Sequence, residues 1–344
     1  MSADVKSMTR AELESAFGAM GLPGYRAGQV FKWLADGVRG FGGMTNLPKT
    51  LRSALARRFY VTVPELTRKQ VSARDGTVKY LWGLADGNAV ESVVMSYKHG
   101  NTVCVSSQAG CRMGCAFCAT ARGGLKRSLT ASEMLDQVIF SGLDSGARIS
   151  NIVLMGMGEP LDNFDNVLRF LSIVNDANGM NVGMRHISLS TCGLPEKVDK
   201  LGEYNLQLTL SISLHAPDDE TRSRLMPVNR GVGVDKLFEA AGRYFAKTGR
   251  RVSYEYALID GVNDTDAQAR LLAGRLGRTG SHLNLITLNG VSESGLRPSR
   301  AERVKAFESV LGARGVNYTF RRSLGGDIDA ACGQLRGGDG ITEK

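Results

Sequence analysis

Apolar residues recur along the chain with two periods, and the period changes with position. Over the first sixty residues the spacing is helical. Leu13, Phe17 and Met20 share one face of a segment that Thr9 can cap with Glu12 three residues on, and Gly21 stops it. Val30, Phe31 and Leu34 give a second stripe over 25–35, and Leu51 and Leu55 a third that begins near Pro48. From residue 77 the pattern turns to strands. Runs at 77–84 and 90–97 flank Asp86-Gly87, a dipeptide suited to a tight hairpin turn. Beyond residue 101, β-rich runs stand at 102–106, 151–155, 186–190, 207–213, 252–259, 282–288 and 316–321. Helical patterns lie between them at about 130–143, 164–177, 195–202, 235–247, 264–278 and 299–313, and Thr130 with Glu133 repeats the capping box. Such alternation predicts βαβ units around a parallel sheet. An open doubly wound sheet and a full or partial barrel both fit the count.

The unusual residues favour the barrel. Cys111-Arg-Met-Gly-Cys115-Ala-Phe-Cys118 follows the first of these strands and Gly156-Met-Gly158-Glu159-Pro160 ends the second. Ser190-Thr-Cys192-Gly193, Ser213-Leu214-His215 and Asn289-Gly290 end the third, fourth and sixth. Parallel α/β proteins place ligands at the C-terminal ends of their strands, and five ends feeding one site imply a closing sheet rather than a single crevice.

Composition narrows the class. A chain of 344 residues with 42% hydrophobic and 22% charged content folds as about two domains, or as one large α/β domain with an appendage. No apolar run approaches the roughly 18 residues of a membrane span, and the acid-bearing N-terminus does not read as a signal peptide. The net charge of +9 suggests a polyanionic partner. It is concentrated: residues 1–60 hold nine Lys and Arg against four acids, a local net of +5. Three short helices with basic outer faces make a nucleic-acid-binding module, although a solvated helical cap has the same composition.

Six cysteines, three of them within eight residues, point to a reducing compartment and a metal or redox role. The spacing C-x3-C-x2-C offers three thiolates from one loop. Structural zinc takes four ligands, and the next histidine after the loop is His186. Three thiolates suit a [4Fe–4S] cluster with one iron left for an exogenous ligand such as S-adenosylmethionine; zinc and a redox-sensor loop remain the alternatives. Phe117 beside Cys118 would shield the cluster or simply pack in the core.

Taken together, VESVVM, CVSSQAGCRMGCAFCAT, LMGMGEPLDN, SLSTCG, SISLHAP and GGDIDAACGQLR resemble the RlmN/Cfr family of radical S-adenosylmethionine RNA adenine methyltransferases, and most closely its RlmN branch. The likeness extends to YRAGQVFKWL and MTNLPKTLR and so covers nearly the whole chain. It implies an α/β fold: a partial (βα)6 radical S-adenosylmethionine barrel with a small N-terminal helical domain and a linking β-hairpin. The corresponding divisions are an RNA-binding accessory domain at 1–75, the hairpin at 76–100, and a core at 101–344 ending in a catalytic cysteine loop.

The resemblance also implies roles. Cys111, Cys115 and Cys118 would ligate one [4Fe–4S] cluster per chain. Gly158, Glu159, Ser190, Ser213, Leu214, His215 and Asn289 would contact S-adenosylmethionine. Cys332 would carry the methyl group, Cys104 would resolve the RNA adduct by forming a disulfide, and Glu91 would act as general base. The target would be carbon 2 of an adenosine in the peptidyl-transferase region of 23S rRNA, and the adenosine next to the anticodon in tRNA. That carbon is not a nucleophile, so a polar displacement cannot methylate it. The family route uses two S-adenosylmethionine molecules per turnover: one methylates the cysteine, and one is cleaved to a radical that activates the S-methyl group. The implied setting is cytoplasmic, with a flavodoxin-type electron donor, no membrane partner and a monomer as the default state. Alternatives are carbon-8 methylation of the Cfr type, or a non-enzymatic Fe–S RNA-binding protein. Without the resemblance, Cys104 reads as a buried strand cysteine, Glu91 as an edge carboxylate, and Cys332 as a tail thiol. Two departures stand out. Cys192 replaces a common serine, and the stretch around Asn289 lacks the usual proline-rich run. Arg321 and Arg322 could meet phosphate or solvent.

Overall fold

A computed structural model describes residues 2–277 and 280–337 of the chain; the last seven residues of the range assigned to the core lie outside them. Near the N-terminus, β1 (Ala3–Asp4) pairs in parallel with β2 (Phe59–Tyr60). Between them run α1 (Arg10–Gly18), α2 (Gly24–Ala35) and α3 (Lys49–Arg58). The Thr9–Glu12 capping box forms at the start of α1. Leu13 and Phe17 of α1, Val30, Phe31 and Leu34 of α2, and Leu55 of α3 are buried, as the helical spacing requires.

Ten strands form one sheet. In chain order they are β3 (Glu65–Val71), β4 (Val78–Gly83), β5 (Ala89–Tyr97) and β6 (Gly100–Cys104), then β9 (Ile149–Leu154), β10 (Ile187–Thr191), β11 (Thr209–Ser213), β12 (Ser253–Leu258), β13 (His282–Thr287) and β14 (Tyr318–Arg321). A separate antiparallel pair, β7 (Gln108–Gly110) with β8 (Leu125–Ser128), clips the cysteine loop and the short α4 (Ala119–Arg122) between its strands. From β6 through β14 every neighbour in the sheet is parallel and follows in sequence order. The connections carry α5 (Ala131–Ser145), α6 (Phe164–Asn175), α7 (Pro195–Glu203), α8 (Asp219–Leu225), α9 (Val234–Thr248), α10 (Asp266–Leu276) and α11 (Ala301–Ala313). A doubly wound sheet reverses its strand order at a switch point; this one never does. Right-handed crossovers in a single direction put all the helices on one face, and the sheet must curl to cover the other. It remains an open arc with β3 and β14 at its edges, a partial barrel.

The hairpin differs from the expectation of a linker. β4 and β5 turn at Gly87, whose φ is +83°, but they continue the core sheet by pairing β5 with β6. Strand β3, inside the stretch read as helical, extends it further. Its pattern ELTRKQV is exposed at six of seven positions, so an edge strand wetted on both faces left no alternation to read. The N-terminal helices join the same hydrophobic cluster as the barrel strands. Lys6 fixes that junction: fully buried, it reaches Asp136 of α5 at 2.5 Å and the carbonyl of Thr62 at 2.6 Å.

Candidate active site

The strand ends converge on one cavity. Its wall draws on Leu154–Gly156 after β9, Ser190–Cys192 at β10, Ser213 and His215 at β11, and Glu255 and Ala257 of β12. Ile286–Asn289 at β13 and Arg321 of β14 complete it, so six adjacent strands serve a single site.

Backbone geometry explains the glycines. A Cβ on Gly158, where φ is +98°, would stand 2.5 Å from Gln108, and one on Gly156 would stand 2.8 Å from Ser106. Only hydrogen at both positions lets the turn press against β6 and β7. Glu159, buried at the turn, spends both oxygens on backbone: Oε1 accepts from Leu161 N at 2.9 Å and Oε2 from Cys192 N at 2.7 Å. Burial pushes its pKa up and these N–H groups pull it back. Its carboxylate thus ties the β9 turn to the β10 turn. Of that turn's carbonyls, Met157 O and Glu159 O already accept backbone N–H groups, from Ser107 at 2.8 Å and Asp162 at 3.1 Å.

His215 sits in the left-handed region at φ +55°, costly for a side-chain-bearing residue and held from several sides. Its Nδ1 accepts from Ala257 N at 3.0 Å, and Asn263 donates to its carbonyl at 2.7 Å. The ring meets Phe117 edge-on at 4.7 Å. Burial pushes its pKa down to about 3, with the Arg222 guanidinium adding to the effect, so the ring is neutral and carries its proton on Nε2.

Cys111, Cys115 and Cys118 all line the cavity. Burial pushes the thiol of Cys111 up to about 11 and raises that of Cys115, and the neighbouring loop thiols add to both. Among the described residues, no three His, Cys, Asp or Glu side chains converge as ligands of a single ion. Three thiols spaced around a cavity wall, with Phe117, Met226 and Leu288 as apolar lining, suit a polynuclear cluster better than a zinc ion. The donor set therefore fits a three-cysteine [4Fe–4S] group, and in the same cavity the buried Oε2 of Glu255 has no hydrogen-bond partner within the chain.

Cys332 is exposed and lines this cavity and a second one behind it, which it shares with Cys104, Met95, Tyr97 and Arg321. Burial pushes the Cys104 thiol up to about 12; Cys332 raises it further and Arg321 opposes. The expected disulfide is not formed, and all six cysteines are free. Cys104 closes the end of β6 while Cys332 rides on a separate strap, so joining them takes movement of that strap. The strap is held by Asn289, which donates to the Cys332 carbonyl at 3.1 Å, and by Thr120, which donates to the Leu335 carbonyl at 2.5 Å.

Glu91 lies elsewhere. It pairs with Lys79 at 3.3 Å, and its Oε2 accepts from Arg336 N at 2.7 Å and Gly337 N at 3.4 Å. It lines a neighbouring groove with Asp329 and Gln334 rather than either cysteine cavity. Asn289, Ser190 and Ser213 line the main cavity, and the two serine hydroxyls are 3.3 Å apart. Leu214 is buried in the core and does not line the cavity; its N–H donates to the Glu255 carbonyl at 3.0 Å.

Sequence reasoning missed two side chains. Arg222 is fully buried and donates to the carbonyls of Cys192 (2.5 Å), Ser213 (3.1 Å) and Leu214 (3.1 Å) and to Asn229 Oδ1 (2.7 Å). It binds the β10 and β11 ends together, yet on α8 it reads as a surface arginine. Glu255 hides in a hydrophobic strand; a lone acid within SYEYALI was the available signal.

Comparison with known proteins agrees with this geometry. Residues 105–272 match the radical SAM superfamily, and residues 3–61 match the ribosomal RNA large subunit methyltransferase N-terminal domain. A probable dual-specificity RNA methyltransferase RlmN of Alkaliphilus oremlandii is 48% identical over 97% of this chain and 97% of its own length. Another of the same description, from Clostridium tetani, is 49% identical over 91% and 89%. The crystal structure of a radical SAM methyltransferase from Sphaerobacter thermophilus superposes with a TM-score of 0.92 at 45% identity, covering 97% of this chain and 99% of that one.

Proposed function

The chain belongs to the RlmN family of radical S-adenosylmethionine RNA methyltransferases, and from that premise we propose that it methylates carbon 2 of adenosine in 23S rRNA and in tRNA. The observation that carries the reading is the position of Cys332. It stands where the cavity of the three loop thiols opens onto the cavity of Cys104, so one sulfur can face both halves of the reaction.

Cys111, Cys115 and Cys118 would hold a [4Fe–4S] cluster, which when bound supplies the electron that cleaves S-adenosylmethionine. The Gly156–Glu159 turn, Ser190, Ser213, His215 and Asn289 would bind and orient that molecule. With its Nδ1 committed to Ala257, His215 can offer only an N–H donor from Nε2. Phe117, Met226 and Leu288 exclude water from the radical chemistry. Cys332 takes a methyl group as a thioether and presents it to the base. Cys104 ends the covalent step by attacking the Cys332 sulfur: the S–S bond forms as the bond from that sulfur to the base-linked carbon breaks, and that carbon takes a proton to become the methyl group, leaving a disulfide that exists only during turnover. Glu91 takes the ring proton once the strap, whose N–H groups now occupy it, shifts. The basic helices at 1–60 contact the RNA backbone. A low-potential flavodoxin-type protein supplies electrons in the cytoplasm. Among the described residues, no helix is long and apolar enough to cross a membrane.

Anaerobic reconstitution with 23S rRNA and tRNA, followed by nucleoside mass spectrometry, tests the proposal. Formation of 2-methyladenosine in both RNAs is expected. 8-Methyladenosine instead would show the Cfr type of reaction, and no methylated adenosine at all would refute the assignment.

A further inference from the structure

A row of polar side chains crosses four strands of the barrel. Ser213, Glu255, Asn284 and Thr319 are register partners on β11 to β14, and in a parallel sheet register partners project from the same face. Three of the four are joined. Thr319 Oγ1 donates to Asn284 Oδ1 at 2.8 Å, and Asn284 Nδ2 donates to Glu255 Oε1 at 2.9 Å. His282 Nε2 meets the Thr319 hydroxyl at 3.1 Å and anchors the outer end. Because the Asn284 oxygen is claimed by Thr319, its nitrogen must face Glu255, which fixes the direction of the carboxylate.

The inner end of the row is incomplete. Glu255 is 4% exposed and lines the cavity of the loop thiols, yet its Oε2 is buried with no hydrogen-bond partner. A carboxylate oxygen accepts, so the ladder aims an acceptor at whatever fills the cavity. Its neighbour across the strand pair is Ser213, about 4.8 Å away on the spacing of adjacent strands, and Ser213 is itself 3.3 Å from Ser190.

On the reading that S-adenosylmethionine occupies this cavity, we infer that Glu255 is a binding residue whose Oε2 accepts a hydrogen bond from a ribose hydroxyl of that molecule. The α-amino and carboxylate groups belong beside the cluster loop and the Gly156–Glu159 turn, and the sulfonium has no N–H or O–H to give. The ribose presents adjacent hydroxyls, each able to donate. Glu255 accepts a hydrogen bond from one hydroxyl while Ser213, which both donates and accepts, meets the other. The Asn284–Thr319 ladder holds the carboxylate in place before the ligand arrives.

The test is calorimetric titration of the cluster-loaded, RNA-free enzyme with S-adenosylmethionine, S-adenosylhomocysteine, and the 2′-deoxy and 3′-deoxy forms of the latter. Glu255→Gln turns a donor toward the ligand and should weaken both parent ligands on the order of ten- to a hundredfold. The deoxy form that lacks the contacted hydroxyl should bind the variant and the unmodified enzyme alike. Retained iron content and melting temperature verify that the variant folds; Glu255→Asp, which keeps the charge but withdraws the oxygen, should show the same losses and serves if Glu255→Gln does not fold. Unchanged affinity would overturn the inference. So would an equal loss for both deoxy forms, which places the donor on the adenine, or a loss confined to S-adenosylmethionine, which makes the effect attraction to the sulfonium. If the unmodified enzyme binds neither parent ligand, it is the wider reading that fails, and this inference with it.

Discussion

Six thiols in this molecule occupy three settings, and the setting decides what each can do. Cys111, Cys115 and Cys118 ring a cavity, Cys104 and Cys192 are buried, and Cys332 is exposed on a strap. Spacing in the sequence was enough to single out the three loop thiols, because they fall within eight residues. Cys332 and Cys104 are 228 positions apart in the chain numbering, and only the family motifs drew attention to them. Arg222 was invisible for a different reason, since a buried charge looks like any other charge until its partners are known, and Glu255 left only the trace of a lone acid in an apolar strand. His215 gives a residue-scale prediction. An unfolded histidine binds a proton below about 6.5, whereas the folded one resists until about 3. Between those values the unfolded state holds more protons, so stability is complete above the free value and is lost as pH falls. The slope is about 1.4 kcal/mol per pH unit from this residue alone. Urea midpoints measured at pH 7 and pH 5 should differ less in His215→Asn than in the unmodified protein; equal differences would contradict the assignment.

Elements with a wet face and a dry face were legible, and elements without that contrast were not. Helices α1 and α5 begin at the capping boxes that Thr9 and Thr130 announce, and the parallel strands fall on the apolar runs. The exposed strand β3 and the short clip β7–β8 left no periodic signal. Yet the clip is the element that shapes the cysteine loop. Cys111 N donates to the Gly124 carbonyl at 2.9 Å, and a Cβ on Gly110, where φ is +77°, would stand 1.9 Å from that same oxygen. Gly110→Ala should therefore force the two strands of the clip apart. We expect sub-stoichiometric iron and sulfide after reconstitution and a loss of more than about 1 kcal/mol in stability. Iron loading equal to that of the unmodified protein would show that the clip does not position the loop.

At the scale of the whole molecule, one sheet and one apolar cluster join parts that the sequence presents as separate. The basic N-terminal segment looks detachable by composition, because surface charge says nothing about what lies beneath it. Beneath it is Lys6, paired with Asp136, whose pKa burial pushes up to about 6 against the pull of the ammonium. Lys6→Met would leave that carboxylate buried without its counter-ion and should cost about 3–5 kcal/mol in chemical denaturation. The double variant Lys6→Met with Asp136→Leu should recover most of that loss, and failure to recover would show that the pair is not what docks the module. That pair packs the basic helices against the barrel whose cavity holds Cys332, and on the proposed function RNA held at those helices would reach that sulfur. The most direct test of that sulfur as methyl carrier is a paired anaerobic turnover of the unmodified enzyme and Cys332→Ala with RNA, S-adenosylmethionine and reductant. Both 5′-deoxyadenosine and 2-methyladenosine are measured. The unmodified enzyme should form both, and the variant should form only 5′-deoxyadenosine; 2-methyladenosine from Cys332→Ala at the unmodified rate would contradict the account.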